Sequence, residues 1–315
     1  MHKKSSLEQS TILVTGGCGF IGSHLIEKLL TYEPKIILVL DSLEFGARSN
    51  LPQSSTIVVI QHRLGFDDPA LLDDYLEHVD YVFHLAAEKY NQSIQEPERI
   101  IRANIAGTEQ LLAACGRQKI KKFIFTSSLY AYGRMHGAPF LENDVLEPTT
   151  VYGISKVAGE HLVRMYAFNH LFEYSILRLM FTYGPRQYTN LGYKSVIVKS
   201  FQRILSGLPA QICGDGMQVL DYVYVGDVVE SLIFSIELKS AVHVFNVGSG
   251  YGVTIKFVVE SILKICSCPL APEFIQQDST AGTTRVANIH NLFSAGWKPM
   301  VPLLEGLGLV KKGLL

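Results

Sequence analysis

The sequence predicts an α/β protein in which a doubly wound parallel sheet is joined to a smaller C-terminal lobe. Two observations favour this class. Short, continuous apolar runs alternate with longer amphipathic runs through about the first 180 residues, and a glycine-rich turn joins the first apolar run to the first amphipathic one. Continuous apolar strands that alternate with helices are typical of a parallel sheet covered on both faces.

Five apolar segments predict strands of this sheet. They are TILVTGG (11–17), KIILVLD (35–41), STIVVIQ (55–61), VDYVFHLAA (79–87) and KKFIFTSS (121–128). Segments with helical periodicity separate most of them, namely FIGSHLIEKLLTYE (20–33), PALLDDYLEHV (69–79) and RIIRANIAGTEQLLAACGR (99–117). Right-handed crossovers between the parallel strands then produce the doubly wound arrangement.

The pattern changes after residue 180, where Gly, Pro and aromatic residues become frequent. Two later segments, DVVESLIFSIEL (227–238) and HVFNVGSG (243–250), predict one more helix and one more strand that rejoin the sheet. We therefore expect a first domain at 1–180, joined by 225–250, and a lobe formed mainly by 181–315. The two are expected to enclose a cleft.

The composition argues against several classes of protein. A formal net charge of −1 offers no electrostatic basis for binding nucleic acid or a membrane surface. No run of 18 uncharged apolar residues predicts a membrane span, and the N-terminal MHKKSSLEQS lacks the apolar stretch of a secretory signal. Of the five cysteines, Cys266 and Cys268 form a C-x-C without a second pair, so we expect reduced thiols, no metal and a cytoplasmic protein.

The glycine-rich turn TGGCGFIG (15–22) predicts a dinucleotide site, because it lies between a strand and a helix. Gly16 would permit the tight turn, Gly19 would let the backbone approach a pyrophosphate, and Gly22 would let the helix pack closely on the sheet. The helix N-terminus would present free N–H groups to the phosphates. An ordinary glycine-rich turn is the alternative, and the strand and helix around it argue against that interpretation.

Asp41 ends the second strand, 19 residues after Gly22. A carboxylate there can accept both hydroxyls of an adenosine ribose and would repel a 2′-phosphate, which favours NAD over NADP. Arg48 follows in the same loop and could soften that repulsion, although we expect it to lie too far along the loop. For Asp41 alone, a solvated acid at a strand end would be a reasonable alternative.

Three residues predict a proton-transferring site. Ser128 ends a strand, and the carboxyl ends of parallel strands are where ligands bind. Tyr152 and Lys156 are four residues apart on a predicted helix and so share one face. A free tyrosine has a pKa of about 10, which a nearby cation in a partly dry site could lower by about one to three units. Ser128 could then hold a substrate oxygen while Tyr152 moves its proton.

These residues belong to a longer pattern that resembles the extended short-chain dehydrogenase/reductases, and within them the nucleotide-sugar epimerase/dehydratase group. The matching motifs run almost from end to end of the chain. They are TGGCGFIGSHL, LDSLEFGARSNL, HLAAEKYNQSIQEPERIIRANIAGT, FTSSLYAYG, VYGISK, LRLMFTYGPRQ, GDGMQVLDYVYVGDVV, FNVGSG and AGWKP. The resemblance implies a Rossmann-type domain that binds NAD and a C-terminal lobe that binds a nucleotide sugar.

The resemblance also implies roles for matching positions. The catalytic set would be Ser128, Tyr152 and Lys156, of which the last two also contact the cofactor. The remaining cofactor contacts would be Gly16, Gly19, Phe20, Ile21, Gly22, Asp41, Ser42, Leu85, Ala86, Ala87, Lys89 and Asn104. Lys89 matches a cofactor-contacting lysine of UDP-galactose 4-epimerase, and Asn104 would brace the strand ends. Family dimers pair two helices of each subunit, which implies a homodimer through about 98–117 and 152–170.

Departures from the family pattern concern the substrate. In the 4,6-dehydratases an Asp-Glu pair follows the catalytic Ser or Thr, whereas this chain has Leu129 and Tyr130 there. Relatives commonly hold the substrate with Asn, Arg and Arg at three positions that are Phe181, Leu220 and Thr280 in this chain. Replacement cations could come from Arg186, Lys194, Arg203 and Arg285. The expected substrate contacts are Ser128, Leu129, Tyr130, Phe181, Arg186 and Arg285.

The leading functional prediction is an NAD-dependent epimerase that oxidises C4 of a nucleotide sugar and reduces it again from the other face. A net dehydrogenase or reductase of a nucleotide sugar or another polyol is the main alternative, because the same three residues serve both. A non-catalytic NAD-binding protein is a third possibility. The Ser-Tyr-Lys set argues against it, since a sensor needs no proton relay.

Overall fold

The structure is a computed structural model that describes residues 5–133, 138–187, 195–276 and 282–314, with the backbone alone at 91–93. Its strands are β1 (Thr11–Thr15), β2 (Ile36–Asp41), β3 (Ile57–Gln61), β4 (Tyr81–His84), β5 (Lys122–Ser128), β6 (Glu173–Leu179), β7 (Phe181–Tyr183), β8 (Gln211–Cys213), β9 (Val219–Tyr224), β10 (Val244–Val247), β11 (Gly252–Thr254), β12 (Glu273–Ile275) and β13 (Thr284–Arg285).

The helices separate and cover these strands. They are α1 (Phe20–Leu30), α2 (Leu71–Tyr75), α3 (Tyr90–Gln95), α4 (Pro97–Ile100), α5 (Gly107–Gln118), α6 (Val151–His170), α7 (Val196–Leu205), α8 (Val225–Glu237), α9 (Ile255–Ile265), α10 (His290–Ser294) and α11 (Leu303–Leu314). Short 3₁₀ turns lie at Arg48–Asn50 and Leu129–Ala131, and a π-helical turn lies at Ile101–Ala106.

The main sheet has seven strands in the order β10-β6-β5-β4-β1-β2-β3. The pairs from β3 through β5 run parallel, and β1 lies between β2 and β4 with Leu13 beside both Leu38 and Val82. The doubly wound parallel sheet predicted from the sequence is therefore confirmed. Strand order reverses between β1 and β4, and in such sheets ligands bind at the carboxyl ends of the strands beside this reversal.

Two compact units make up the chain. The first comprises Met1–Arg134, Val145–Arg178 and Val229–Phe245, and the second comprises Met135–Asp144, Leu179–Val228 and Asn246–Leu315. Each unit has its own apolar core. Leu13, Leu112 and Phe123 are fully buried in the first, and Phe201, Val258 and Leu307 are fully buried in the second.

The assignment of Met135–Asp144 to the second unit differs from the predicted domain at 1–180, and backbone pairing explains it. The N–H of Phe140 donates to the carbonyl of Val286 at 2.8 Å, and its carbonyl accepts the N–H of Asn288 at 2.9 Å. These partners are about 146 to 148 residues away along the chain. The local sequence around Phe140 carries no sign of such distant partners.

The segment predicted as one helix over 99–117 contains a π-helical turn at Ile101–Ala106, between α4 and α5. Arg102 within this turn donates its Nε to the carbonyl of Gly65 at 2.6 Å. A Cβ on Gly65 would lie 2.1 Å from the Arg102 carbonyl oxygen, so only glycine fits opposite the turn. Such wider turns are frequent at functional sites, and this one carries Asn104.

Candidate active site

The glycine turn between β1 and α1 is closed by its own backbone. Gly16 has a φ of +70°, and a Cβ there would lie 2.8 Å from the amide nitrogen of Ala86. A Cβ on Gly22 would lie 2.3 Å from the Gly16 carbonyl oxygen. Side chains at either position would therefore push α1 or the Ala86 segment out of place.

The first residues of α1 offer backbone N–H donors, because the first N–H groups of a helix have no acceptor within that helix. Gly19 is the N-cap residue, and as a glycine it has no side chain that could accept a hydrogen bond from these N–H groups. The amides of Phe20, Ile21 and Gly22 thus point out of the helix end, where an anion is favoured.

Asp41 at the end of β2 is tied to the glycine turn. Its Oδ2 accepts the N–H of Cys18 and its Oδ1 accepts the N–H of Leu43, each at 2.9 Å. Burial raises the pKa of the carboxyl, and the two amide bonds oppose that rise. A carboxylate has about four acceptor positions, so about two remain for the hydroxyls of a ribose. Ser42, the first residue of the following loop, is half-buried, whereas Arg48 is exposed.

The segment after β4 is held by Asn104 of the π-helical turn. The Asn104 side chain accepts the N–H of Glu88 at 2.8 Å and donates to the Glu88 carbonyl at 3.1 Å. It also donates to Oγ of Ser155 on α6 at 3.1 Å. Asn104 therefore links the loop after β4 to α6. A bracing or cofactor-contacting role for Asn104 stays a prediction.

Four predicted cofactor contacts lie in the segment held by Asn104. Leu85, Ala86, Ala87 and Lys89 are all half-buried there. Burial lowers the pKa of Lys89, and the neighbouring Glu88 carboxylate opposes that fall. Their contacts with a cofactor stay predictions.

His84 was not selected from the sequence, although it lies in the HLAA motif. Its side chain is 2% exposed, with Nδ1 at 2.7 Å from Oγ1 of Thr15 and Nε2 at 2.9 Å from Oγ1 of Thr108. Thr15 also accepts the N–H of Ala86 at 3.1 Å. The imidazole thus joins the end of β1 to the segment that follows β4.

Ser128, Tyr152 and Lys156 meet at the carboxyl end of β5. Tyr152 is in the first turn of α6, which Thr150 caps by accepting the N–H of Gly153 at 3.0 Å. The Ser128 side chain lies close enough to the Tyr152 hydroxyl to lower the pKa of that phenol. Nζ of Lys156 lies 5.6 Å from the centre of the Tyr152 ring.

The expectation that the lysine lowers the tyrosine pKa is not met by these residues alone. Burial raises the pKa of Tyr152 to about 12, although the Ser128 hydrogen bond opposes the rise. Burial also lowers the pKa of Lys156 to about 8. The reason is that both groups have lost solvent, which disfavours the charged form of each. Nζ of Lys156 donates to the carbonyl of Thr126 at 2.9 Å. A further positive charge is needed to ionise the phenol near neutral pH.

Aromatic rings surround the phenol of Tyr152. Tyr130 stacks on Tyr90 with 4.7 Å between ring centres and meets Tyr152 edge-on at 5.8 Å. Leu129 is only 4% exposed. Tyr130 is thus beside the proton-transferring residues, and Leu129 packs into the interior of the first unit. Substrate contacts for both stay predictions.

The other predicted substrate residues are in the second unit. Phe181 on β7 pairs with Tyr222 on β9, with 5.8 Å between their ring centres. Arg285 on β13 is the register partner of Leu220 on β9. Arg186 is half-buried with a φ of +63°. Lys194 and Thr280 lie outside the described residues, and a substrate role for any of this set stays a prediction.

The described residues form neither a metal cluster nor a membrane span. No cluster of three or more His, Cys, Asp or Glu side chains there could hold a metal ion. No helix among those residues is both long and apolar enough to span a bilayer.

The comparison with protein families agrees with this site. The family model described as NAD dependent epimerase/dehydratase matches residues 12–248, which is more than half of the chain. The chain belongs to the NAD-dependent epimerase/dehydratase family. The match includes the glycine turn, Asp41, Ser128, Tyr152 and Lys156, and it confirms the family recognised in the sequence.

Members of this family resemble the chain over nearly its whole length. UDP-N-acetylglucosamine 4-epimerase from Methanobrevibacter ruminantium M1, solved with UDP-N-acetylmuramic acid, is 31% identical, with 98% of both chains covered and a TM-score of 0.91. UDP-glucose 4-epimerase from Thermus thermophilus, solved with NAD, is 31% identical over 96% of this chain and 98% of that one, with a TM-score of 0.85. A dTDP-glucose 4,6-dehydratase from Actinoplanes sp. is 28% identical over 94% of this chain and 95% of its own length.

NAD is the cofactor of the family, and the first unit fits it. The glycine turn leaves no space for side chains, the N-terminus of α1 offers backbone donors, and Asp41 keeps acceptor positions for a ribose. Both 4-epimerases and 4,6-dehydratases belong to the family. The residues that follow Ser128 therefore matter for assigning the reaction.

Proposed function

We propose that this chain is an NAD-dependent nucleotide-sugar 4-epimerase, which transiently oxidises C4 to a 4-keto sugar. One observation carries the proposal. Ser128, Tyr152 and Lys156 meet at the end of β5, and the two residues after Ser128 are Leu and Tyr rather than carboxylates. The 4-epimerases among the similar structures support the same reaction.

In this mechanism Tyr152 accepts the proton of the C4 hydroxyl and later returns a proton to the C4 oxygen. Ser128 holds that oxygen through its own hydroxyl. NAD, when bound, supplies the hydride acceptor and donor and, in its oxidised form, a positive charge near the phenol. Lys156 is already in place when burial raises the pKa of Tyr152 to about 12, so the charge of the cofactor would be the one that lowers this pKa.

A 4,6-dehydratase needs two further groups, a base for the C5 proton and an acid for the departing C6 hydroxyl. Leu129 has no titratable group. Tyr130 carries a phenol, and a free phenol with a pKa of about 10 is a poor base at neutral pH. We therefore propose that the keto sugar is reduced again rather than dehydrated.

The test offers UDP-, GDP- and dTDP-hexoses to the protein in deuterated water and follows them by NMR. We expect a C4-inverted sugar without deuterium. A 4-keto-6-deoxy sugar with deuterium at C5 or C6 would contradict the proposal in favour of dehydration. One equivalent of NADH and a stable ketone would contradict it in favour of a dehydrogenase.

The proposal includes a homodimer that uses α6. Apolar side chains on this helix are exposed at Ile154 (49%), Met165 (47%) and Phe168 (82%). Their spacing of eleven and three residues puts them on one face of the helix. An exposed apolar stripe of this kind is typical of a surface that is covered by a partner, and the partner proposed here is a second copy of the chain.

A further inference from the structure

Three successive residues at the end of β5 each contact one member of a stripe on α6. The strand residues are Thr126, Ser127 and Ser128, and the helix residues are Lys156, Glu160 and Tyr152 respectively. The helix residues recur every four positions and so share one face. Two of the three contacts belong to the proposed proton-transferring site, and the third, between Ser127 and Glu160, has no role in the mechanism so far.

Glu160 is completely buried, with 0% of its side chain exposed. Its Oε1 accepts hydrogen bonds from Oγ of Ser127 at 2.6 Å and from Nε of Arg178 at 2.8 Å. Its Oε2 accepts hydrogen bonds from Nη2 of Arg178 at 2.8 Å and from Nη2 of Arg164 at 3.3 Å. A buried carboxylate with this many donors holds its position strongly, because moving it would break its two hydrogen bonds with Arg178 inside the protein.

We propose that Glu160 is a positioning residue for the reaction, which holds the end of β5 and the catalytic face of α6 in register through Ser127. Ser127 is the residue immediately before Ser128, so anchoring its side chain restricts the position of the backbone that carries Ser128. Glu160 is one helical turn beyond Lys156 on the same face. The catalytic part of this inference rests on the proposed function.

Glu160 also acts on Lys156 through its charge. Burial lowers the pKa of Lys156 to about 8, and the Glu160 carboxylate opposes that fall. The other described groups that face Lys156 are Tyr152 on the same helix and His84 on β4, whose pKa of about 3 leaves it neutral above pH 5. Arg178 of β6 and Arg164 of α6 are paired with Glu160 and therefore affect the charge that Lys156 experiences from it.

Two variants separate geometry from charge. Ser127→Ala removes the strand-to-helix hydrogen bond and keeps every charge. We expect kcat to fall about tenfold at all pH values with KM for the sugar unchanged, since small misplacements of reacting groups have effects of this size. Glu160→Gln should lower kcat by at least as much, and should also move the alkaline limb of the kcat–pH profile to lower pH, because Lys156 loses its proton sooner.

Asp73→Asn is the matched control. Asp73 also accepts two hydrogen bonds from an arginine, Arg117, at 2.8 and 2.9 Å, but it lies on the surface at α2. The Asp73→Asn variant should have the kcat and the kcat–pH profile of the wild type. Circular dichroism and thermal unfolding check that each variant is folded. If Glu160→Gln does not fold, Ser127→Ala still decides the geometric claim.

A second measurement does not depend on turnover. Lysines labelled with ¹³C at Cε are titrated by NMR in the NAD-loaded protein, and the Lys156 signal is assigned by its loss in Lys156→Arg. We expect the Lys156 pKa to be about one pH unit lower in Glu160→Gln than in wild type. If the wild type does not epimerise any sugar, the proposed function is refuted, but the Lys156 titration can still be measured and still tests the effect of Glu160. A wild-type kcat in Ser127→Ala, or an unchanged Lys156 pKa in Glu160→Gln, would overturn the inference.

Discussion

His84 donates a hydrogen bond from Nε2 to Thr108 at 2.9 Å, and the surrounding contacts determine that direction. The only hydroxyl hydrogen of Thr108 is donated to the carbonyl of Asn104 at 2.7 Å. Thr108 must therefore accept from His84. The other ring nitrogen, Nδ1, is then unprotonated and accepts from Thr15 at 2.7 Å. The imidazole is neutral and each nitrogen has a partner.

The first prediction concerns stability at acid pH. Burial lowers the pKa of His84 from 6.5 to about 3, so protonation favours the unfolded chain. This stabilisation is complete above pH 6.5 and is lost as the pH falls below it. Between pH 7.5 and 5.0 we expect His84 to remove about 2 kcal/mol from the free energy of unfolding. Urea unfolding of wild type and His84→Gln at both pH values measures the difference.

His78→Gln is the control for that experiment, because the His78 side chain is 83% exposed and His78 lies on neither helix of the proposed dimer. It should keep the wild-type loss of stability on acidification, whereas His84→Gln should be less stable overall but lose less between the two pH values. An identical loss in His84→Gln and wild type would show that folding does not lower the pKa of His84.

The second prediction concerns the proton-transferring tyrosine. Tyr152→Phe removes the phenol hydroxyl beside Ser128 and keeps the ring that packs edge-on against Tyr130. We expect kcat to fall about 10²- to 10⁴-fold while NAD remains bound. Turnover and the NAD content of the purified variant are measured together. A variant that retains more than about a tenth of the wild-type rate would remove Tyr152 from the mechanism.

The third prediction concerns the choice of cofactor. Asp41 is buried and anchored by Cys18 and Leu43, so its carboxylate would face the 2′-phosphate of NADP without moving away. We expect NAD to bind more tightly than NADP, and Asp41→Ala to narrow the difference. Titration of both cofactors into wild type and variant gives the four affinities. Equal affinities in the wild type would contradict the assignment of Asp41.

The fourth prediction concerns assembly. Phe168 on α6 is 82% exposed, and Phe168→Glu would put a charge into the proposed dimer surface. We expect light scattering after gel filtration to report a dimer for wild type and a monomer for the variant. Phe257→Glu is the control, because Phe257 is 46% exposed on α9, which is not part of the proposed dimer surface. A monomeric wild type would contradict the proposed homodimer.

Local spacing in the sequence determined the main sheet and the nature of its site. The apolar runs predict β1 to β5 to within a few residues, because a strand buried on both faces must be continuously apolar. The glycine spacing and the interval between Tyr152 and Lys156 are equally local. Each depends on a helical or turn geometry that nearby residues impose. The family and its NAD cofactor follow from these patterns.

Tertiary structure decided what depends on distant partners. The contact of Glu160 with Arg178 and Ser127 joins α6 to two strands, and its only trace in the sequence is the step of four residues from Lys156. The sign of the Tyr152 pKa shift was also hidden, because it depends on how much solvent the folded chain removes. Hydrogen bonds and desolvation between segments far apart along the chain have no periodic signature, so only the folded structure can show them.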